Sequence, residues 1–179
     1  MNKQLWSVGA KGGLWGTLFF MIFFGLVYLI YGNPFLPIKS LDFFVYLFAM
    51  LAVLVWHRLR MPGGFASRFH LWEGLQITLA TGLVMLALSV LFIYGFITWM
   101  APEVVQAYAQ YEIQQFVAAK AQWIESFKQD GKDGVAIYEE VYRNYQKRDW
   151  VAYLLIQEIA QKSFLGLLLS IIISAVLRK

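Results

Sequence analysis

Four stretches of this chain are almost wholly apolar, and one long polar passage separates the last two. Residues 12–31, 41–57, 71–100 and 151–177 hold only four Asp, Glu, Lys or Arg between them, whereas residues 101–149 carry eight acidic and six basic side chains. A helix crossing a hydrocarbon core of roughly 30 Å needs about 20 apolar residues, and each run approaches or exceeds that length. The predicted fold class is an all-α integral membrane protein. Residues 1–179 form one four-helix membrane domain, with residues 101–149 inserted as a helical cap between the third and fourth spans.

Breaks between the runs carry their own chemistry. Gly32-Asn33-Pro34-Phe35-Leu36-Pro37 ends the first helix, because proline lacks the amide donor and restricts its predecessor. A basic start before an apolar run also describes a signal peptide. Here the run is long and no small-x-small cleavage site follows, so an uncleaved first span is expected. Ser40 stands where an N-cap belongs, and Asp42 falls in the first turn of the second helix, where the helix dipole favours a carboxylate. Pro62-Gly63-Gly64 marks the next turn. The third helix runs from near Phe69 to Ala101-Pro102, about 45 Å, so Glu73 is placed at the interface, about 39 Å from Trp99.

In the cap, Val104, Tyr108, Tyr111, Ala119, Trp123 and Phe127 recur at helical spacing from Glu103 to Gln129, with Phe116 on the same broad face. A turn at Asp130-Gly131-Lys132-Asp133-Gly134 follows. A second short helix then has Tyr138, Val141, Tyr142 and Tyr145 on one side. The expected product is a helical hairpin outside the membrane. Its aromatic stripe is expected to pack against a helix or the lipid surface rather than stack nucleobases or sugars. The turn lacks the alternating acids and twelfth-position glutamate of a calcium loop, so no metal is expected.

Composition agrees with the pattern. Hydrophobic residues make up 60% of the 179, aromatics 18%, and the mean hydropathy is +0.57, outside the range of soluble domains. There are no cysteines, which excludes disulfides, thiolate nucleophiles and cysteine metal sites. The net charge of +4 does not indicate nucleic acid, because the basic residues gather at the ends of apolar runs and the polar passage is net acidic. Lys3, Lys11, Arg58, Arg60, Arg68, Arg178 and Lys179 occupy the N-terminus, the 57–70 loop and the tail, with no acid among them. The positive-inside rule then puts both termini in the cytoplasm and the cap outside. Trp56 and Trp72 mark the inner boundary, Trp99 and Trp150 the outer.

Small residues recur at four-residue intervals: Gly12 and Gly16 (beside Gly9 and Gly13), then Gly74, Thr78 and Gly82, then Gly166, Ser170 and Ser174. Such rows let helices approach closely in lipid. All lie toward the basic end, so the bundle is expected to be pinched there and to open beneath the cap. Asp42, Glu158 and Lys162 are the candidate polar cluster at the outer membrane edge. Lys162 stands about 24 Å from Arg178 by helix rise, and Glu158 precedes it in the favourable i,i+4 order. Structural pairing, a proton or ligand site, and snorkelling all compete for these groups.

No catalytic, cofactor-binding or metal-ligating residue stands out. His57 and His70 lack triad partners and a metal-ligand spacing. With Arg58, Arg60 and Arg68 they suit contacts to anionic lipid head groups.

Several local pieces carry a family resemblance. They are Pro62-Gly63-Gly64-Phe65 followed by Gly74-Leu75 opening a long helix, Ala101-Pro102 leading into a charged insert with aromatics, and the run Leu167 to Lys179. On these the chain resembles the membrane family defined by domain of unknown function 4199, found mainly in Bacteroidota. The resemblance implies a bacterial cytoplasmic membrane protein and transfers no catalytic residue. Two function classes follow. One is a non-enzymatic protein acting through its cap on a protein or envelope component, with the bilayer, a second copy or a membrane complex as partners. The other is a small transporter or lipid-binding protein using space beneath the cap. Transporters carry ionisable groups near the midplane, and by residue count this chain keeps its charges near the edges, which favours the first class.

Overall fold

Helix ends follow the capping chemistry of the sequence. A computed structural model describes residues 2–35, 42–64, 69–129 and 133–177, the side chains of Asp42 and Gln129 excepted. Helix α1 covers Lys3–Tyr31. Asn2 caps it by accepting from the Gln4 amide at 3.0 Å, and Gly32 closes it at φ 72°, a left-handed conformation that glycine adopts without steric cost. Helix α2 covers Asp42–Arg60 and α3 covers Leu71–Gly95. Glu73 reaches back to accept from the His70 amide at 3.1 Å, which makes it a helix-start residue.

At Phe96–Met100 the third span continues as a single π-helical turn, closed by the Ala101 amide on the Phe96 carbonyl at 2.9 Å. Pro102 follows and has no amide to donate. The wider turn keeps Phe96, Ile97 and Ala101 all facing the core. Helices α4 (Glu103–Ala118), α5 (Lys120–Gln129) and α6 (Gly134–Gln146) form the cap, and α7 covers Trp150–Leu177. Among the described residues all regular structure is helical. Four of the described helices are long and apolar enough to cross a membrane: α1, α2, α3 with its π turn, and α7.

Helix α3 packs on each of the other three long helices, and α2 also touches α1 and α7. The small-residue rows supply the close contacts. A methyl on Gly9 would meet the Ile77 carbonyl. One on Gly13 would lie 2.6 Å from Val84 Cβ, and one on Gly16 2.6 Å from Met85 Sδ. Gly12 opens onto Val53 of α2. The Thr81 hydroxyl donates to the Gly9 carbonyl at 3.1 Å, so α1 and α3 approach backbone to backbone. Gly74 and Thr78 meet Ser174 of α7, and the tip of Met50 from α2 lies between Gly82 and Gly166. The Ser170 hydroxyl bonds back to the Gly166 carbonyl within α7. These glycines thus serve contacts between helices of one chain.

Nearer the cap the spacing residues are rings. Phe24 of α1 packs edge-on against Phe92 and Phe96 with centroids 5.5 and 5.1 Å apart, and Phe35 joins Phe24 to Tyr108 of the cap. Small residues thus line the helix contacts at the basic end, and aromatic rings line those beneath the cap.

The cap differs from the expected two-helix hairpin. Ala119, at φ −85° and ψ 9°, interrupts the first helix, so three helices form where spacing predicts two. No glycine or proline causes the break. Helical bonds still flank it, from the Ala119 amide to the Gln115 carbonyl and from the Trp123 amide to the Ala119 carbonyl, both at 3.1 Å, and α6 returns along α5, the helix it contacts most. Gly134 permits this approach, because a methyl there would strike the Ile124 carbonyl. Phe116 then stacks on Tyr138 and Tyr145 at 5.0 and 4.8 Å, with Tyr142 further out. The predicted face is only partly buried: Val104, Tyr108 and Phe116 are covered, while Tyr111 and Trp123 remain in part exposed.

Candidate functional site

Three regions contain the candidate residues. The first is a charged pair inside the bundle. Lys162 Nζ lies 2.7 Å from a Glu158 carboxylate oxygen, and both side chains are buried, 6% and 2% exposed. Burial follows from position, since Leu154, Glu158, Lys162, Gly166, Ser170 and Ser174 recur every four residues and all face inward. The ammonium lies 4.3 Å from the centre of the Phe20 ring and 5.8 Å from that of Tyr46, within cation–π range of both. The Tyr46 hydroxyl in turn hydrogen-bonds Ser89 at 2.8 Å.

The neighbours fix the level of the pair. Phe20 is about 17 Å from the cap end of α1 and about 26 Å from its other end, and Lys162 is about 18 and 23 Å from the ends of α7. Lys162 thus stands well inside both ends of α7, beside the middle of α1. Only two of the three expected cluster members are brought together in the description. Helix α2 begins at Asp42, whose side chain lies outside the described residues. Tyr46 and Ser89, which residue counting passed over, complete the setting instead. A crevice of about 110 Å³ between α3 and α7, lined by Gly82, Lys162, Ser163 and Gly166, reaches Lys162 from the side.

The second region is the cap and its attachment. Buried Asn33 donates to the Val104 carbonyl at 3.1 Å and accepts from the Phe35 amide at 2.9 Å, which ties the first loop beneath α4. The Tyr28 hydroxyl donates to Glu103, and that of Tyr108 to Gln157 of α7 at 3.2 Å. Burial raises the Tyr108 phenol above its ordinary value, and the Glu112 carboxylate adds to the effect. Burial raises Tyr138 in the same direction, with Tyr142 beside it. Arg148 lies over the rings of Tyr145 and Tyr153 at 4.1 and 4.4 Å, where the cap re-enters the bundle. Asp133, in the turn before α6, serves as its N-cap, accepting from the Val135 and Ala136 amides. On the cap surface a groove of about 480 Å³ runs past Lys120, Tyr138, Glu139, Tyr142 and Arg143.

The third region is the basic end, where one expected lipid contact is corrected. Arg58 is 2% exposed, and its Nη1 donates to the Leu177 carbonyl. It caps the C-terminus of α7, where unsatisfied carbonyls and the helix dipole favour a cation. Tyr46, Met50, Leu54 and Arg58 form one buried stripe at intervals of four, so Arg58 points inward with the rest. Arg60 is exposed and lies 3.9 Å over the Trp56 ring. Arg68 lies outside the described residues.

Comparison with known proteins gives a family and no function. No curated protein and no solved structure shows a significant match to the chain. The sequence model of a family described as "Protein of unknown function (DUF4199)" matches residues 9–179, taking in most of α1, the other three long apolar helices and the whole cap, and the chain belongs to that family.

Proposed function

We propose that this chain is a non-enzymatic, multi-pass protein of a bacterial inner membrane, with both termini cytoplasmic, that acts through contacts of an extracytoplasmic cap. The observation that carries this reading is the way the cap is built. Helices α5 and α6 pack chiefly on each other and on α4, away from the four long helices. Their stacked rings give a stiff arm that holds Lys120, Glu139 and Arg143 along an open groove. A surface with both charge signs beside buried Tyr138 and half-buried Tyr142 suits a protein or envelope polymer as partner, since aromatic and Arg side chains dominate binding hot spots. The bonds of Asn33, Tyr28 and Tyr108 anchor the base of the arm.

Absence of cysteine makes the orientation directly testable. A Glu139→Cys variant should react with a membrane-impermeant maleimide in intact cells, and reaction only after permeabilisation would overturn the orientation. Combined Lys120→Ala, Glu139→Ala and Arg143→Ala substitutions should abolish the cellular role while leaving the bundle folded. A second reading, a small transporter or ligand-binding membrane protein, draws support from the depth of Glu158 and Lys162 and from the adjoining crevice. If the cap triple variant keeps full function and Lys162→Met loses it in folded protein, the second reading replaces the first.

A further inference from the structure

At the basic end, α1 and α2 enclose an apolar groove of about 440 Å³ whose mouth carries the cation of Lys11. Gly12 forms its floor against Val53, a contact that a methyl group would close. Trp15 and Trp56 stand on the two walls, both exposed on the outside of the bundle. Arg60, exposed and stacked on Trp56 at 3.9 Å, brings a second cation to the same rim.

Helix rise sets the level of this rim. Lys11 lies about 30 Å from Tyr31, the cap end of α1, which is the thickness of a hydrocarbon core. Its ammonium therefore reaches the phosphate layer at the basic end. Trp15, one turn deeper, falls where indole rings sit at membrane boundaries. Both cations face outward, whereas Arg58, two residues before Arg60, is turned inward to Leu177. Neither an acidic side chain nor the α7 terminus takes part in the rim residues described, so the rim presents net positive charge above an apolar slot.

We infer that this groove is a binding site for one anionic phospholipid of the leaflet at the basic end, its phosphate held by Lys11 and Arg60 and an acyl chain lying against Gly12, Val53 and the two tryptophans. Lys11 on the groove and Arg60 over its Trp56 wall supply the positive charge that favours anionic over zwitterionic lipid. Apolar walls supply the contact area, and the tryptophan rings bracket the glycerol level. The site is independent of the cap and of the Glu158–Lys162 pair.

Native mass spectrometry of the full-length protein tests this directly. Delipidated protein is titrated with phosphatidylglycerol and, separately, with phosphatidylcholine of the same acyl chains. The first phosphatidylglycerol should bind on the order of tenfold more tightly than the first phosphatidylcholine. Lys11→Gln with Arg60→Gln should bring the two lipids close to equal, while Lys120→Gln with Arg143→Gln in the cap should leave the preference intact. Equal binding to the unmodified protein would overturn the inference, as would a preference that survives the double substitution at the rim. Should that double variant fail to fold, the unmodified protein still decides. In vesicles, brominated phosphatidylglycerol should quench its tryptophan emission more than brominated phosphatidylcholine, and Trp15→Phe should reduce the difference. Quenching that is equal for the two lipids, or a difference untouched by Trp15→Phe, counts against the site.

Discussion

Replacing Lys162 with methionine removes one half of a buried ion pair while nearly preserving volume. Methionine keeps the unbranched stem over Phe20 and deletes the ammonium that lies 2.7 Å from Glu158. The carboxylate then stays in a site only 2% exposed without the Lys162 ammonium. Breaking a buried pair from one side costs roughly 3–5 kcal/mol, whereas replacing both partners by groups of similar volume is often neutral or stabilising by about 1–4 kcal/mol. Lys162→Met alone should therefore lower unfolding free energy by about 3–5 kcal/mol. Glu158→Gln with Lys162→Met should recover all but about 1 kcal/mol, giving a coupling of a few kcal/mol between neighbouring sites. Reversible unfolding in mixed detergent micelles, followed by tryptophan fluorescence, measures each corner of the cycle. A single variant within about 1 kcal/mol of the parent would refute the reasoning, because a buried carboxylate cannot lose the Lys162 ammonium so cheaply. Additive single and double effects would refute it as well.

Two further predictions concern packing and pH. Gly13→Val should destabilise by at least about 1–3 kcal/mol, since its Cβ would stand 2.6 Å from Val84 Cβ and 2.8 Å from the Thr81 carbonyl; Gly25→Ala, with nothing within 4 Å, should be neutral or slightly stabilising in the same unfolding assay. The buried phenols of Tyr108 and Tyr138 hold their protons to higher pH than the 10.0 of a free tyrosine. The unfolded cap therefore ionises first as pH rises, so the phenols' contribution is fully present below pH 10 and is lost as pH climbs through the raised folded values. Absorbance titration at alkaline pH should show late-ionising tyrosines, and Tyr138→Phe should remove one of them.

Much of the bundle was legible along the chain because lipid imposes a simple rule: a span must be long, apolar and internally hydrogen-bonded. The four runs, the Gly32 stop, the Pro102 break and the small-residue rows follow from that rule and from capping chemistry, which act locally. The inward face of α7 was legible too. Glu158 and Lys162 continue the same four-residue stripe as Gly166, Ser170 and Ser174, so the charges had to share the face of the small residues. Counting from Arg178 located the pair along its own helix and left its neighbours unknown. Depth within the bundle depends on which residues of α1, α2 and α3 stand beside it, here Phe20, Tyr46 and Ser89.

Sequence by itself determined what each segment is: four spans, a polar insert, glycine rows and a basic end, because those properties follow from spacing and solvent. Only the tertiary structure decided what each segment meets. Arg58 looked like its neighbour Arg60 until the C-terminal carbonyl of α7 was found against it, and the uninterrupted spacing of residues 103–129 gave no sign of the break at Ala119. The first depends on a contact between residues far apart in the chain, and local periodicity carries no information about the partner on the other side of a contact.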